Sequence, residues 1–303
     1  MKENINKLRK KADRFFNIVK IHGYRVAIVV YATKPPVLNS LFRLIFGRLL
    51  IKIKIMNNDM FVDLNDPGIS MKLISEGIKE VGHVRQLREN LKPGMKGIDI
   101  GSNIGYYALI ESEILGSEGF VFSIEPEADN LKLLRKNIKL NNAERIFKVS
   151  QYLVGDHNGV ERFYLSSCSN RHSLSAIDKI GSVNIPMITV DKFMADNGLL
   201  SKDINFIRMD IEGYEVIAFQ GMKSLMDART PMKIFIELHS SYYPQWGWTL
   251  EKFVQLLFDK GFTFKAISYE KGAEEFFMYE PSIAQVLETQ NRVNGFQACL
   301  ERA

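Results

Sequence analysis

From residue 93 onward, short apolar runs alternate with amphipathic stretches, and this rhythm restricts the fold more than any other feature of the chain. "KGIDI" ends at a glycine turn, and "IGYYALIESEIL" follows with helical spacing. "FVFSI" is followed by "EADNLKLLRKNIKLN", "INFIRMDI" by "YEVIAFQGM", and "MKIFIEL" by "TLEKFVQLLFDKG" with Gly261 as its stop. An uninterrupted apolar run is a strand buried on both faces, and a helix after each run allows the next strand to lie parallel. The expectation is therefore an α/β fold, a doubly wound sheet covered by helices on both faces. "RIFKVSQYLV" and "VERFYL" flank "GDHNG", which reads as a hairpin turn, and "FTFKAISY" with "EEFFMYE" reads as a closing pair of strands.

The 303 residues allow one large domain with an appendage. Charge separates the two. Residues 1–54 hold 13 Lys/Arg against 2 Asp/Glu, and the rest of the chain holds 27 against 33. A basic arm on a mildly acidic body suits an anionic partner such as lipid headgroups, nucleic acid or a phosphorylated substrate. Ile5, Leu8, Ala12, Phe15, Phe16 and Val19 recur at helical spacing among lysines and arginines. "GYRVAIVVYA" and "LNSLFRLIFGRLLIKIKI", split by Pro35 and Pro36, are each shorter than the roughly 20 residues that span a bilayer. The arm is expected either to lie on an anionic membrane surface or to pack as a helical subdomain, including at a homodimer contact. The expected divisions are a basic, mostly helical arm over 1–55, a helical lead-in over 56–92, the main domain over 93–281 and a C-terminal helical tail over 282–303. Cys168 and Cys299 supply neither a disulfide framework nor a zinc spacing, and the first residues lack a secretory signal's apolar core. The expected location is cytoplasmic, with peripheral membrane contact through residues 1–54.

The turn after the first strand, "GIDIGSNIGYYAL", looks at first like a dinucleotide loop. Asn103 stands where G-x-G-x-x-G has its middle glycine, and Gly105 comes one residue early. Asp99 just before the turn would repel a pyrophosphate and suits an ammonium group. Glu125, directly before Pro126 at the end of the second strand, suits the two hydroxyls of a ribose. An amino-acid ammonium and a ribose on adjacent strand ends describe S-adenosyl-L-methionine.

"GIDIGSNIGYYAL", "FSIEPEADNLKLLRKNI" and "RMDIEGYEVIAFQGM", in that order, resemble the FkbM-type family of class I S-adenosylmethionine-dependent methyltransferases, and the likeness runs from about residue 60 to about residue 270. The resemblance implies a Rossmann-like, mostly parallel seven-stranded sheet, here with an N-terminal helical extension. It also implies an O-methyltransferase acting on a hydroxyl of a glycan, lipid or secondary metabolite. It places Asp99, Gly101, Ser102, Asn103, Gly105 and Tyr106 around the methionine part of the cofactor. Glu125 and Pro126 fall at the ribose, Gln151 beside the adenine, and Asp210 on the sulfonium side. Tyr152 stands where the family often has a small residue. Core packing is the competing use of Tyr106 and Tyr107.

Asp210, Glu212 and Glu215 follow the fourth long strand, and Glu237 and His239 stand two apart on the next, leaving one face. Ligands in such sheets bind beyond the strand C-termini. Methyl transfer to an alcohol needs alignment and removal of a proton, and a nearby base contributes ~10²–10⁴-fold. His239 is the candidate base, with Asp210 and Glu237 orienting it or the acceptor. A divalent ion on Asp210 with Glu237 or His239 is an alternative, as is a helix N-terminal role for Glu215. Arg171 and His172, in the polar stretch "SSCSNRHSLS", are candidates for acceptor recognition at the pocket rim. A nucleic-acid methyltransferase gripping RNA through the basic arm is the second functional class. It is disfavoured because "DIEG" replaces the Asn/Asp-Pro-Pro-aromatic motif of amino-methylating enzymes. A cofactor-binding scaffold without catalysis is the third.

Overall fold

The computed structural model describes residues 2–32, 48–166, 168, 181–271 and 274–303, with side chains from Lys10 onward. It divides into two compact units, with the boundary between Lys79 and Glu80. Arg171 and His172 lie outside the described residues, as do Pro35, Pro36 and most of the apolar run that follows them.

The N-terminal unit holds two helices, α1 (Lys2–His22) and α2 (Tyr24–Ala32), an antiparallel hairpin of β1 (Leu50–Ile55) and β2 (Asn58–Asp63), and α3 (Ile69–Glu76). Gly23, at φ +85°, separates the two helices. Asn17 Nδ2 donates to Ser75 O at 2.6 Å, and His22 Nε2 lies 3.1 Å from Leu73 O, which fixes α1 on α3. The hairpin crosses the expected boundary at residue 55. The arm is thus not helical to its end, and the lead-in opens with a strand. "LIKIKI" alternates apolar with cationic residues, and Ile53 and Ile55 are buried while Lys52 and Lys54 are exposed, a strand's period rather than a helix's.

The second unit is built on an eight-stranded sheet of order β12-β11-β13-β10-β9-β3-β4-β5. Its strands are β3 (Lys96–Ile100), β4 (Phe120–Ile124), β5 (Phe147–Ser150), β9 (Phe206–Met209), β10 (Met232–Leu238), β11 (Thr263–Lys271), β12 (Glu274–Tyr279) and β13 (Phe296–Arg302). β5, β4, β3, β9 and β10 run parallel. All four residues of β9 are buried, as are the last four of β3 and of β4, so both faces of the sheet are covered. The mostly parallel, doubly wound sheet is as expected, with eight strands in place of seven. The helices are α4 (Val81–Asn90), α5 (Tyr106–Leu115), α6 (Ala128–Leu140), α7 (Val190–Asp196), α8 (Glu215–Gln220), α9 (Lys223–Asp227), α10 (Leu250–Asp259) and α11 (Ile283–Thr289).

Two local expectations are corrected. "GDHNG" does not close a hairpin. β6 (Leu153–Val154) and β7 (Gly159–Leu165) are separated by β8 (Gly181–Ile188), giving a small sheet of order β6-β8-β7. Leu153, Phe163, Ile185 and Met187 form its buried side. The C-terminal segment is not a helical tail. After α11 it enters the main sheet as β13, antiparallel to both β10 and β11. Its consecutive Ala298, Cys299 and Leu300 are all fully buried, which requires cover on both faces and neighbours on both edges.

Candidate active site

The turn between β3 and α5 is held by its own backbone. Gly101 N and Ser102 N both donate to Ile124 O, at 2.9 and 3.2 Å, so the turn is tied to the end of β4. Gly101 sits at φ +83°, and a Cβ there would lie 2.1 Å from Asp210 O. Gly105, at φ +94°, caps α5 and leaves no room beside Leu134 Cδ1 at 2.8 Å. Asn103 takes the left-handed region between them, at φ +50°, and its Oδ1 accepts the Ile104 amide at 2.7 Å. Asparagine tolerates that conformation because its short side chain bonds locally. Ser102 Oγ donates to Asp99 O at 3.1 Å.

Glu125 closes the same turn. Its Oε2 accepts the Asn103 amide at 2.8 Å and its Oε1 the Glu127 amide at 2.9 Å. Only 4% of Glu125 is exposed, and burial pushes its carboxyl up to about 8, against the opposing pull of those two amides. Gln151 Nε2 donates to Pro126 O at 3.0 Å, linking the residues that follow β5 to those that follow β4. Tyr106 and Tyr107 are buried with their rings edge-on at 4.8 Å. The Tyr152 ring packs on the core, 6.5 Å from Phe193.

Asp99 differs from its expected role as an open carboxylate. It is fully buried and stands opposite Arg208 in the register of β3 and β9, with Arg208 Nη1 2.9 Å from its Oδ1. Arg208 Nη2 donates to Asp210 Oδ2 at 3.1 Å, and the guanidinium lies 3.9 Å over the Tyr107 ring. Burial alone would lower the Arg208 pKa, but the facing Asp99 and Asp210 carboxylates more than reverse this and keep it charged. Asp99 therefore neutralises an internal cation, a pairing that a buried strand position demands. Glu111 is also fully buried, and burial followed by the Asp99 charge raises its carboxyl well above the usual range. Tyr107 Oη donates to Glu80 at short range.

The second cluster forms where β9 and β10 end. After Met209 the chain turns through Glu212 at φ +54° and Gly213 at φ +97° before α8 begins at Glu215. A Cβ on Gly213 would meet Tyr242 Cβ at 2.4 Å. β10 delivers Glu237 and then His239, as the alternation predicts. His239 Nδ1 lies 3.2 Å from Glu215 Oε1, while Nε2 lies 3.5 Å from Glu237 Oε1 and 3.7 Å from Glu212 Oε2. Burial opposes the imidazolium, but Glu237, Glu212 and Glu215 together raise its pKa well above the ordinary value. One ligand atom each from Asp210, Glu212 and His239 lies within 4.8 Å of the others. All the candidate catalytic residues thus stand at the C-terminal ends of two adjacent parallel strands, where open α/β sheets bind ligands.

The family model of the methyltransferase FkbM domain matches residues 99–264, which takes in the glycine turn, Glu125 and the His239 cluster. The chain belongs to the FkbM methyltransferase family. It is an S-adenosylmethionine-dependent methyltransferase. A hexuronic acid methyltransferase, AglP, of Haloferax volcanii is 24% identical over 190 residues, or 59% of this chain and 74% of that protein. Among solved structures, the FkbM methyltransferase from Methylobacillus flagellatus is similar at 17% identity and a TM-score of 0.41, over 71% of this chain and 45% of that one. An S-adenosylmethionine-dependent methyltransferase from Aquifex aeolicus is similar at 14% identity and a TM-score of 0.42, over 79% of this chain and 95% of that one.

In this FkbM methyltransferase, Arg208 and Glu215 are the residues that sequence reasoning undervalued. A lone cation in the buried "FIRM" strand, one strand away from a buried acid in "GIDI", was the available signal for Arg208. Glu215 does begin a helix, as its alternative reading held, but its carboxylate also turns back to His239.

Proposed function

We propose that the chain methylates a hydroxyl group of a sugar, with His239 as the general base. The observation that carries this reading is the Glu215–His239 pair. A fully buried carboxylate at Nδ1 holds the proton on that nitrogen, and Nε2 is left to accept a proton from an acceptor hydroxyl. Glu212 and Glu237 border Nε2 as hydrogen-bond acceptors, with Asp210 in the same cluster, the chemistry that recognises several hydroxyls of one sugar ring. Their excess of negative charge favours a neutral face of the acceptor at this point. An acidic group, such as the one in the substrate named for the Haloferax volcanii relative, would have to point away.

When bound, S-adenosylmethionine supplies a methyl group on a sulfonium. The residues present fit its amino-acid and ribose parts. The turn from Gly101 to Gly105 has no room for added side chains at its glycines, and Glu125 stands beside it at the next strand end with amides on both oxygens. Glu125 would hold the ribose hydroxyls, the backbone of Gly101–Gly105 with Ser102 and Asn103 the amino-acid part, and Gln151 the adenine edge. Tyr106 would support the turn from within the core. Asp210, anchored by Arg208, would orient the acceptor oxygen beside His239.

A second reading gives Asp210, Glu212 and His239 to a divalent cation, supported by their mutual approach. Incubation with radiolabelled methyl donor and a panel of oligosaccharides, phospholipids and RNA tests the proposal. Label in an alkali-stable ether on a sugar supports it, and label confined to RNA bases overturns it. Activity that survives exhaustive chelation removes the metal reading.

A further inference from the structure

We propose that α1 and α2 form a docking surface for an anionic phospholipid membrane. Three observations lead there. On α1, Ala12, Phe16 and Val19 follow the i, i+4, i+7 spacing of one helix face, and Phe16 is 64% exposed. On α2, Tyr24, Ile28 and Tyr31 repeat that spacing, with Tyr24 60% and Ile28 52% exposed. The Phe15 ring joins the two faces, lying edge-on to Phe16 at 5.8 Å, to Tyr24 at 5.7 Å and to Tyr31 at 5.2 Å. The result is one apolar, aromatic patch across two helices, where a helix pair would ordinarily present polar side chains to water.

The charge around the patch selects its occupant. Residues 10–32 contain Lys10, Lys11, Arg14, Lys20 and Arg25, against Asp13 as their only acid. Tyr31 Oη donates to Lys11 O at 2.7 Å, which places a lysine at the patch edge, and Lys20 is one helical turn beyond Phe16. Aromatic rings beside cations match a bilayer interface, where rings sit at headgroup depth and lysines meet lipid phosphates. A second copy of the same cationic surface would repel it. Among the described residues no helix is long and apolar enough to cross a membrane.

Co-sedimentation of the full chain with vesicles tests this. Vesicles of phosphatidylcholine with phosphatidylglycerol should bind the chain at least ~10-fold more than phosphatidylcholine alone, and raised salt should release it. Phe16→Ser with Ile28→Ser, and separately Lys11→Glu with Lys20→Glu, should each lower binding about tenfold or more while S-adenosylmethionine affinity stays unchanged. Retained affinity shows that the second unit is intact, and unchanged helical circular dichroism with an unchanged melting profile shows that the N-terminal unit folds. Equal binding to both vesicle types, or binding unaltered in both double variants, overturns the proposal. So does a patch variant that only dissociates a dimer in analytical ultracentrifugation. The outcome is independent of which acceptor is methylated.

Discussion

Glu215 Oε1 lies 3.2 Å from His239 Nδ1, and the same oxygen accepts the Gly213 amide at 2.9 Å. The carboxylate is thereby fixed from two sides. It ties the turn that follows β9 to the residue that follows β10.

The carboxylates around His239 set the first expected outcome. The folded pKa is raised, so the fold stabilises the imidazolium. That stabilisation is complete below the ordinary value of ~6.5 and fades as pH rises through the folded value. The acid limb of kcat/KM should therefore lie above ~6.5, because His239 must lose its proton before it accepts another. NMR titration of the imidazole should give the same midpoint. Glu215→Gln should move that midpoint down and lower kcat about 100-fold with little change in KM. An acid limb below 6, unmoved by the substitution, would exclude His239 as the base.

Glu125 gives a second pH test, of opposite use. Its carboxyl, raised to about 8 by burial, holds a proton in the free protein at neutral pH. Stability from that protonated form is present below the ordinary range and is lost as pH rises through about 8. Ribose hydroxyls that donate to the carboxylate favour its charged form. Cofactor binding should then release a proton and tighten as pH rises toward 8. Calorimetry in buffers of different ionisation enthalpy measures that proton directly. Glu125→Gln should weaken binding ~10–100-fold and abolish the release.

Arg208 is predicted to be structural first. Arg208→Met leaves Asp99 and Asp210 facing each other without a cation and should cost about 3–5 kcal/mol in urea unfolding. Arg208→Lys keeps the charge but cannot reach both carboxylates with a fixed fork, so it should recover only part of that loss. Equal stability of all three proteins would show that the pair contributes nothing.

The glycine turn separates steric from conformational cost. Gly101→Ala places a Cβ against Asp210 O and should destabilise by more than the ~1–2 kcal/mol of left-handed strain, with loss of cofactor binding. Gly198→Ala is the control. It also has positive φ, at +66°, but nothing within 4 Å, so it should cost only the strain and leave binding intact.

The main sheet was legible because its inner strands are buried on both faces and therefore read as apolar runs. The glycine turn was legible because its left-handed positions carry Gly and Asn. Glu237 and His239 converge as strand alternation requires. β8 was not legible, since Pro186 argues against an inner strand. The structure resolves this: two-residue β6 pairs only with Met187 and Ile188, so Pro186 needs a ladder on one side alone. β13 was missed because "FQACLER" mixes polar and apolar residues at no clean period. Its place is set by partners distant in sequence. The pairing of Asp99 with Arg208 was hidden for a related reason. A carboxylate at a strand end looks like a ligand until its in-register neighbour is known.

The position of β13 has a consequence for how the chain is made. It lies between β10 and β11 but is translated after both. Without β13, β10 and β11 have no partner on their facing edges. The two run parallel in the finished sheet, so zipping directly onto each other is a ready wrong turn. The strand that carries Glu237 toward His239 gains its outer neighbour only when residues 296–302 leave the exit tunnel. A chain truncated before residue 296 should therefore aggregate more readily than the full chain, because both edges stay open.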